Sequence, residues 1–259
     1  MHEICNVPKF SLQVHQIFLK RYFHSRVQNK RLLLFHGLGS GKTCSAISIA
    51  ENFKNTKKKI LFIASASLLP NVYKELLGDC GKYGNSLKNH PMKNPCSSRE
   101  KENKQKDAKQ EINKYYDIMS YQQFVSRSKK NLLKLDNRLI IIDEVQNIIS
   151  EIGDMYSIFH KELVKKNPTN VNLLLLSGTP MFDKSNELAL ISNLLNAIDN
   201  QLPTGKEFDK AFFDFKNKKV VNEARLISVL KNKISHFRGI SQNAYPTKIN
   251  TKKRYFFWH

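Results

Sequence analysis

The residues Gly37-Leu38-Gly39-Ser40-Gly41-Lys42-Thr43 follow directly on the apolar run at 32–35 and lead into the helix-compatible segment 46–54. A buried strand, a glycine-rich turn and a helix in that order mark a phosphate-binding loop, and few other sequences satisfy such a pattern. Gly37, Gly39 and Gly41 let the backbone turn sharply and present N–H groups where a side chain would obstruct the approach of phosphate oxygens. Leu38 and Ser40 complete the cradle. Lys42 is spaced to reach the β and γ phosphates, and the Thr43 hydroxyl to coordinate a phosphate-bound magnesium ion. The strict pattern asks for a glycine five positions before Gly41. This chain has His36 there, and its first glycine stands one place further on.

A triphosphate loop needs a carboxylate delivered beside the magnesium ion. Residues 139–142 are four consecutive apolar residues, as a strand buried on both faces requires, and they end in Asp143-Glu144-Val145-Gln146. Asp143 is placed to hold the ion, and Glu144 to orient or deprotonate the attacking water. The alternative is a strand end followed by a helix whose first turn carries acids that merely suit the helix dipole. A third apolar run, 171–176, ends in Ser177-Gly178-Thr179-Pro180. A small hydroxyl-bearing turn there could contact the acidic pair and shift when the γ-phosphate leaves, with Gln146, Ser177, Gly178 and Thr179 as the candidate coupling residues. Strands followed by Gly/Pro turns are also common without such a role.

Lysine and arginine number 43 against 22 aspartates and glutamates, a formal charge of +21. Such a field attracts polyanions without identifying them, and individual Lys clusters are also read as solvated surface. The four cysteines, Cys5, Cys44, Cys80 and Cys96, show no paired metal-ligand spacing. Cys44 reads as a buried thiol, and sparse cysteine usage fits a reducing compartment. No apolar stretch approaches the roughly 18 residues that suggest a membrane span, and the first ten residues lack the apolar core of a secretory signal.

The remaining elements follow from periodicity. Residues 10–23 suggest a helix carrying Gln16. Residues 60–64 read as a second buried strand and 67–77 as a helix capped by Ser67, with Pro70 in its first turn. The Lys/Asn/Ser-rich stretch 81–111 has few apolar residues and reads as a mobile basic insertion. Residues 115–119 read as a strand, and 121–125, 148–164 and 187–198 as helices. Beyond 202, the phenylalanines at 208, 212, 213 and 215 and the apolar residues at 226–230 suggest helical segments whose aromatics form core rather than a base-stacking platform. Tyr255-Phe256-Phe257-Trp258 reads either as a cover for this domain or as the start of an element completed elsewhere.

The motif set resembles the first RecA-like domain of a superfamily 2 helicase-type ATPase. GLGSGKT resembles its motif I, Asp143-Glu144-Val145-Gln146 its motif II and Ser177-Gly178-Thr179-Pro180 its motif III. His15-Gln16 resembles the upstream motif whose glutamine contacts adenine. Ser67-Leu68-Leu69, Ser120-Tyr121 with Phe124, and Asn186-Glu187-Leu188 resemble the Swi2/Snf2-like branch. His236-Phe237-Arg238-Gly239 with Tyr245-Pro246 resembles the poxvirus-type helicases of large cytoplasmic DNA viruses, the group of nucleoside triphosphate phosphohydrolase I and the early transcription factor small subunit. The resemblance implies an α/β P-loop fold with a mostly parallel sheet flanked by helices, formed by residues 1–202, and a helical accessory region at 203–259. It also implies ATP and Mg2+ as cofactors, a nucleic-acid partner with DNA favoured over RNA, viral RNA polymerase as partner, no membrane, and a cytoplasmic or virion location. Only one RecA-like domain is legible, so a second is expected in a longer chain. A nucleic-acid-independent P-loop NTPase, a regulatory nucleotide-binding module and a basic non-enzymatic scaffold are the competing readings.

Overall fold

A computed structural model describes residues 10–28, 30–83, 98–149, 154–179, 185–217 and 219–238, with backbone alone at 98–105. The chain runs through α1 (Val14–Tyr22), β1 (Arg31–His36), α2 (Lys42–Glu51), β2 (Lys59–Ala64) and α3 (Leu69–Leu77). It continues through α4 (Ser98–Tyr115), β3 (Tyr116–Ser120), α5 (Tyr121–Lys129), β4 (Arg138–Ile142), α6 (Asp154–His160) and β5 (Asn172–Ser177). The last elements are α7 (Glu187–Leu195), α8 (Lys206–Phe212), a short β6 (Phe213–Asp214) and β7 (Lys219–Val220) pair, α9 (Glu223–Leu230) and β8 (Ile234–Phe237).

Six strands form one sheet in the order β3-β2-β4-β5-β1-β8, and all its pairs are parallel. Parallel strands need crossovers, and the crossover helices cover both faces. Side chains alternate across the pleat, so each strand feeds two cores. Leu32, Leu34, Phe62, Ile141 and Leu174 pack with α2 and α3 residues such as Ile47, Ile49 and Leu76. Leu33, Ile63, Ile140, Ile142 and Leu175 pack on the other face with Phe124, Phe159 and Ile191. The apolar runs of β1, β2, β4 and β5 are near-continuous because both faces of these central strands are buried, whereas the edge strands β3 and β8 are partly exposed.

Register sets the site. Phe35 pairs with Ser177, Ile142 with Leu175, and Ile63 with Ile142, which brings the carboxyl ends of β1, β5 and β4 side by side. The chain leaves β1 for β2 past the two strands between them, and in open α/β sheets ligands bind at such switch points.

Four expectations change. The basic insertion is helical from Ser98, because its Lys, Glu, Gln and Ala residues favour helix, and Ala108 and Ile112 supply a narrow buried seam; residues 84–97 lie outside the described residues. Ser67 does not cap α3: the cap position is Leu68, and the Ser67 hydroxyl instead bonds to that of Ser65. Cys44 is not a free thiol but forms a disulfide with Cys80, which withdraws cysteine usage as an argument for a reducing compartment. The region after 202 contributes helices α8 and α9 and also a sheet strand, β8, pairing with β1. Phe208 and Phe212 form a small core with Val229 that abuts Ala189 of α7. The aromatic run 255–258, Tyr245 and Pro246 lie outside the described residues. No described helix is long and apolar enough to cross a membrane.

Candidate nucleotide site at the carboxyl edge of the sheet

The loop between β1 and α2 is built for close backbone approach. Gly39 and Gly41 both have φ of 73°, in the left-handed region that glycine enters without strain. A Cβ on Gly41 would also lie 2.7 Å from Gln16 Nε2. α2 begins immediately at Lys42, so its unpaired N–H groups and dipole face the loop. Small residues at Ser45, Ala46, Ser48 and Ala50 let α2 sit buried on nearly every side.

The loop is braced from two sides. From α1, the His15 ring nitrogen Nε2 lies 3.1 Å from the Ser40 carbonyl, and Gln16 Nε2 donates to the Gly41 carbonyl at 3.3 Å. From β8, the Phe237 carbonyl accepts the Gly37 N–H at 2.8 Å, and the Phe237 ring stacks on His15 at 4.1 Å. Gly37 N–H is thereby satisfied within the protein, at the start of the turn. Leu38 is 77% exposed and Thr179 is exposed.

Lys42 is buried, and among the described residues no carboxylate pairs with its ammonium. Its Nζ sits 3.2 Å from the point a Cβ on Gly178 would occupy, so a side chain there would crowd the ammonium. The Ser40 hydroxyl is buried without a hydrogen-bond partner among the described residues. A buried cation with no carboxylate in ion-pair contact and a hydroxyl with no hydrogen-bond partner, both among the described residues of one glycine-rich loop, are what an anionic ligand would satisfy.

The acidic strand end meets this loop. Thr43 Oγ1 donates to Asp143 Oδ2 at 3.3 Å across a sequence separation of 100 residues. Burial pushes the Asp143 carboxyl up to about 6, helped by the charge of Glu144 and opposed by the Glu144 N–H, the Thr43 hydroxyl and Lys42. Asp143 also accepts the Glu144 N–H through Oδ1 at 3.0 Å. Glu144 adopts φ 50° and ψ 55°, a left-handed conformation unusual for a residue with a side chain. Gln146 Nε2 donates to Glu144 Oε2 at 2.6 Å, while Gln146 Oε1 accepts from Ser177 Oγ at 2.7 Å. Ser177 in turn accepts the Thr179 N–H at 3.1 Å. The β5 turn is therefore wired to Glu144 through the Gln146 side chain.

These residues assemble the parts a phosphoryl-transfer site needs: a loop, a cation, and two carboxylates in different surroundings. The profile of the family described as "Type III restriction enzyme, res subunit" matches residues 9–182, about two thirds of the sequence. The chain belongs to this helicase-type ATPase family. A protein of Acanthamoeba polyphaga mimivirus, provisionally named as ATP-dependent RNA helicase R563, is 39% identical over 94% of this chain and 44% of its own length. The early transcription factor 70 kDa subunit of Myxoma virus is 24% identical over 92% of this chain and 34% of its own length. The solved Sulfolobus solfataricus SWI2/SNF2 ATPase core, determined with duplex DNA, shares the fold at a TM-score of 0.60 and 20% identity, covering 89% of this chain and 45% of that one. The chain thus spans less than half the length of these relatives. It is a helicase-family ATPase domain of the viral superfamily 2 type, with the RecA-like parallel sheet that its motifs imply.

The supports of this candidate site were only partly visible in the sequence. Ser235 of β8 carried no signal, and Phe237 and Tyr121 were singled out only as members of blocks that carry the family resemblance, with no role attached. Their roles arise only from contacts across the sheet.

Proposed function

We propose that this ATPase domain is the amino-terminal motor half of a nucleic-acid-dependent translocase that runs on DNA in preference to RNA and works in viral transcription beside a viral RNA polymerase. The observation that carries the reading is the meeting of Thr43 and Asp143 beside the buried Lys42 amine. In this reading Lys42 holds the β and γ phosphates, the backbone of residues 39–43 cradles them, and Thr43 with Asp143 holds Mg2+. The bound ion supplies neutralisation of phosphate charge. Glu144, steered by Gln146, accepts the proton of the attacking water. The Ser177-Gln146-Glu144 wire, with Gly178 against Lys42, responds when phosphate is lost. Gln16 reads adenine once it releases the Gly41 carbonyl.

The +21 charge supports a polyanionic track, and the half-length coverage of relatives supports a second RecA-like domain elsewhere in the full protein. That domain would contribute the arginine that stabilises transition-state charge, so the present chain alone binds ATP weakly, hydrolyses it slowly and does not translocate. The viral kinship supports work in the host cytoplasm and the virion.

The test is ATP titration and turnover with and without single-stranded and duplex DNA or RNA. Lys42→Ala loses nucleotide affinity, whereas Glu144→Gln retains binding and loses turnover by about 100-fold or more. Equal loss of binding in both variants contradicts the roles assigned, and turnover indifferent to every polynucleotide in the two-domain protein contradicts the motor.

A further inference from the structure

The Asp143–Glu144 turn is held by a side chain from outside the loop and acid motifs. Tyr121 is the first residue of α5, and only 3% of its surface is exposed. Its hydroxyl donates to the Asp143 carbonyl and lies 3.2 Å from the Glu144 carbonyl. A phenol has one hydrogen to give, so the two acceptors share it. The Glu144 carbonyl also accepts the Asn147 N–H at 2.9 Å, which starts the short 3-10 turn Val145–Ile148. The hydroxyl therefore clamps the peptide on which the two carboxylates diverge, at the one residue of the turn in the left-handed region.

The phenol is itself fixed. Ser120 caps α5, accepting the Gln123 N–H at 3.2 Å while Gln123 Oε1 accepts the Ser120 N–H at 2.8 Å. The Tyr121 ring stands edge-on to Phe159 at 6.4 Å, and Phe159 stacks on Phe124 at 4.2 Å. β3 delivers this helix start in register with β2, Ser120 beside Ala64. A donor this constrained acts as a stop for the turn rather than as a mobile contact.

We propose that Tyr121 is a positioning residue for hydrolysis, whose hydroxyl sets the Asp143–Glu144 peptide so that Glu144 faces the attacking water while nucleotide affinity stays with the loop. The inference rests on the ATPase reading of this site. Tyr121→Phe keeps the ring and its packing and removes only the donor. Its kcat falls by about tenfold, the worth of one buried hydrogen bond, while KM and ATP affinity change by less than about twofold. Phe124→Leu is the structural control: it loosens the same aromatic packing, lowers the melting temperature and keeps kcat within about twofold. Incorporating 3-fluorotyrosine at 121 restores an O–H and with it turnover. Wild-type kcat in Tyr121→Phe, or parallel loss of kcat and affinity in both Tyr121→Phe and Phe124→Leu, overturns the proposal. Amide hydrogen exchange over residues 143–147, measured without nucleotide, rises in Tyr121→Phe and not in Phe124→Leu. That readout separates the two ideas: a wild type with no turnover defeats the ATPase reading, whereas unchanged exchange defeats the Tyr121 assignment.

Discussion

His36 occupies the position where the strict loop pattern has its first glycine, and its surroundings explain why a large ring is tolerated. It is the last residue of β1 rather than a loop residue, its side chain is fully buried, and its Nε2 lies 3.0 Å from Ser235 Oγ on β8. The tight turn starts one residue later, so Gly37 carries the requirement for glycine. Desolvation pushes the His36 pKa down to about 4, reinforced by the charges of His15, Lys42 and His236. A lowered histidine pKa means the unfolded chain binds the proton first. The contribution of neutral His36 is complete above pH 6.5 and is lost as pH falls through the window from 6.5 to about 4. Urea unfolding at a series of pH values should therefore show a steeper loss of stability in the wild type than in His36→Gln across that window. Parallel curves would place the titration elsewhere.

Among the elements, α2 bears the greatest demand, because its first turn holds Lys42 and Thr43 while most of its surface is packed. The Cys44–Cys80 disulfide ties that first turn to the segment just after α3, closing a sequence separation of 36 residues. Cys80 also lines a cavity of about 460 Å³ with Glu51, Lys54 and Tyr83. Closing a loop of this length restricts the unfolded chain by about 2–4 kcal/mol. Reduction, or Cys80→Ser, should lower the melting temperature by about 10 °C for a domain of this size, as read by calorimetry with and without reductant. An unchanged transition would mean that the bond does not constrain the unfolded chain. Helix α4 makes a different point: its polar composition suggested no structure, yet high intrinsic propensity and a two-residue seam at Ala108 and Ile112 suffice once a sheet edge is there to receive them.

For the whole molecule, the +21 charge sets the expected response to salt. If basic clusters bind phosphates, polynucleotide-stimulated ATPase of the two-domain protein should weaken steeply and log-linearly with salt, and ATP affinity without polynucleotide should change little. A flat salt response would mean that the charge is solvated surface. The sheet and its two cores were legible in the sequence because buried parallel strands are written as unbroken apolar runs at 32–35, 60–64, 139–142 and 173–176. The glycine-rich loop and the acidic strand end were equally legible as local patterns, since each is formed by residues adjacent in the chain. What the tertiary structure alone decided are the contacts between distant residues: His36 with Ser235 across 199 positions, Gly37 with Phe237, Cys44 with Cys80, and Tyr121 with the Asp143–Glu144 turn. A short strand such as β8 carries no periodicity of its own, and a single tyrosine or cysteine acquires its partner only when strand register places the ends together. Local pattern thus specified which chemistry the chain contains, and sheet order specified which side chains hold it in place.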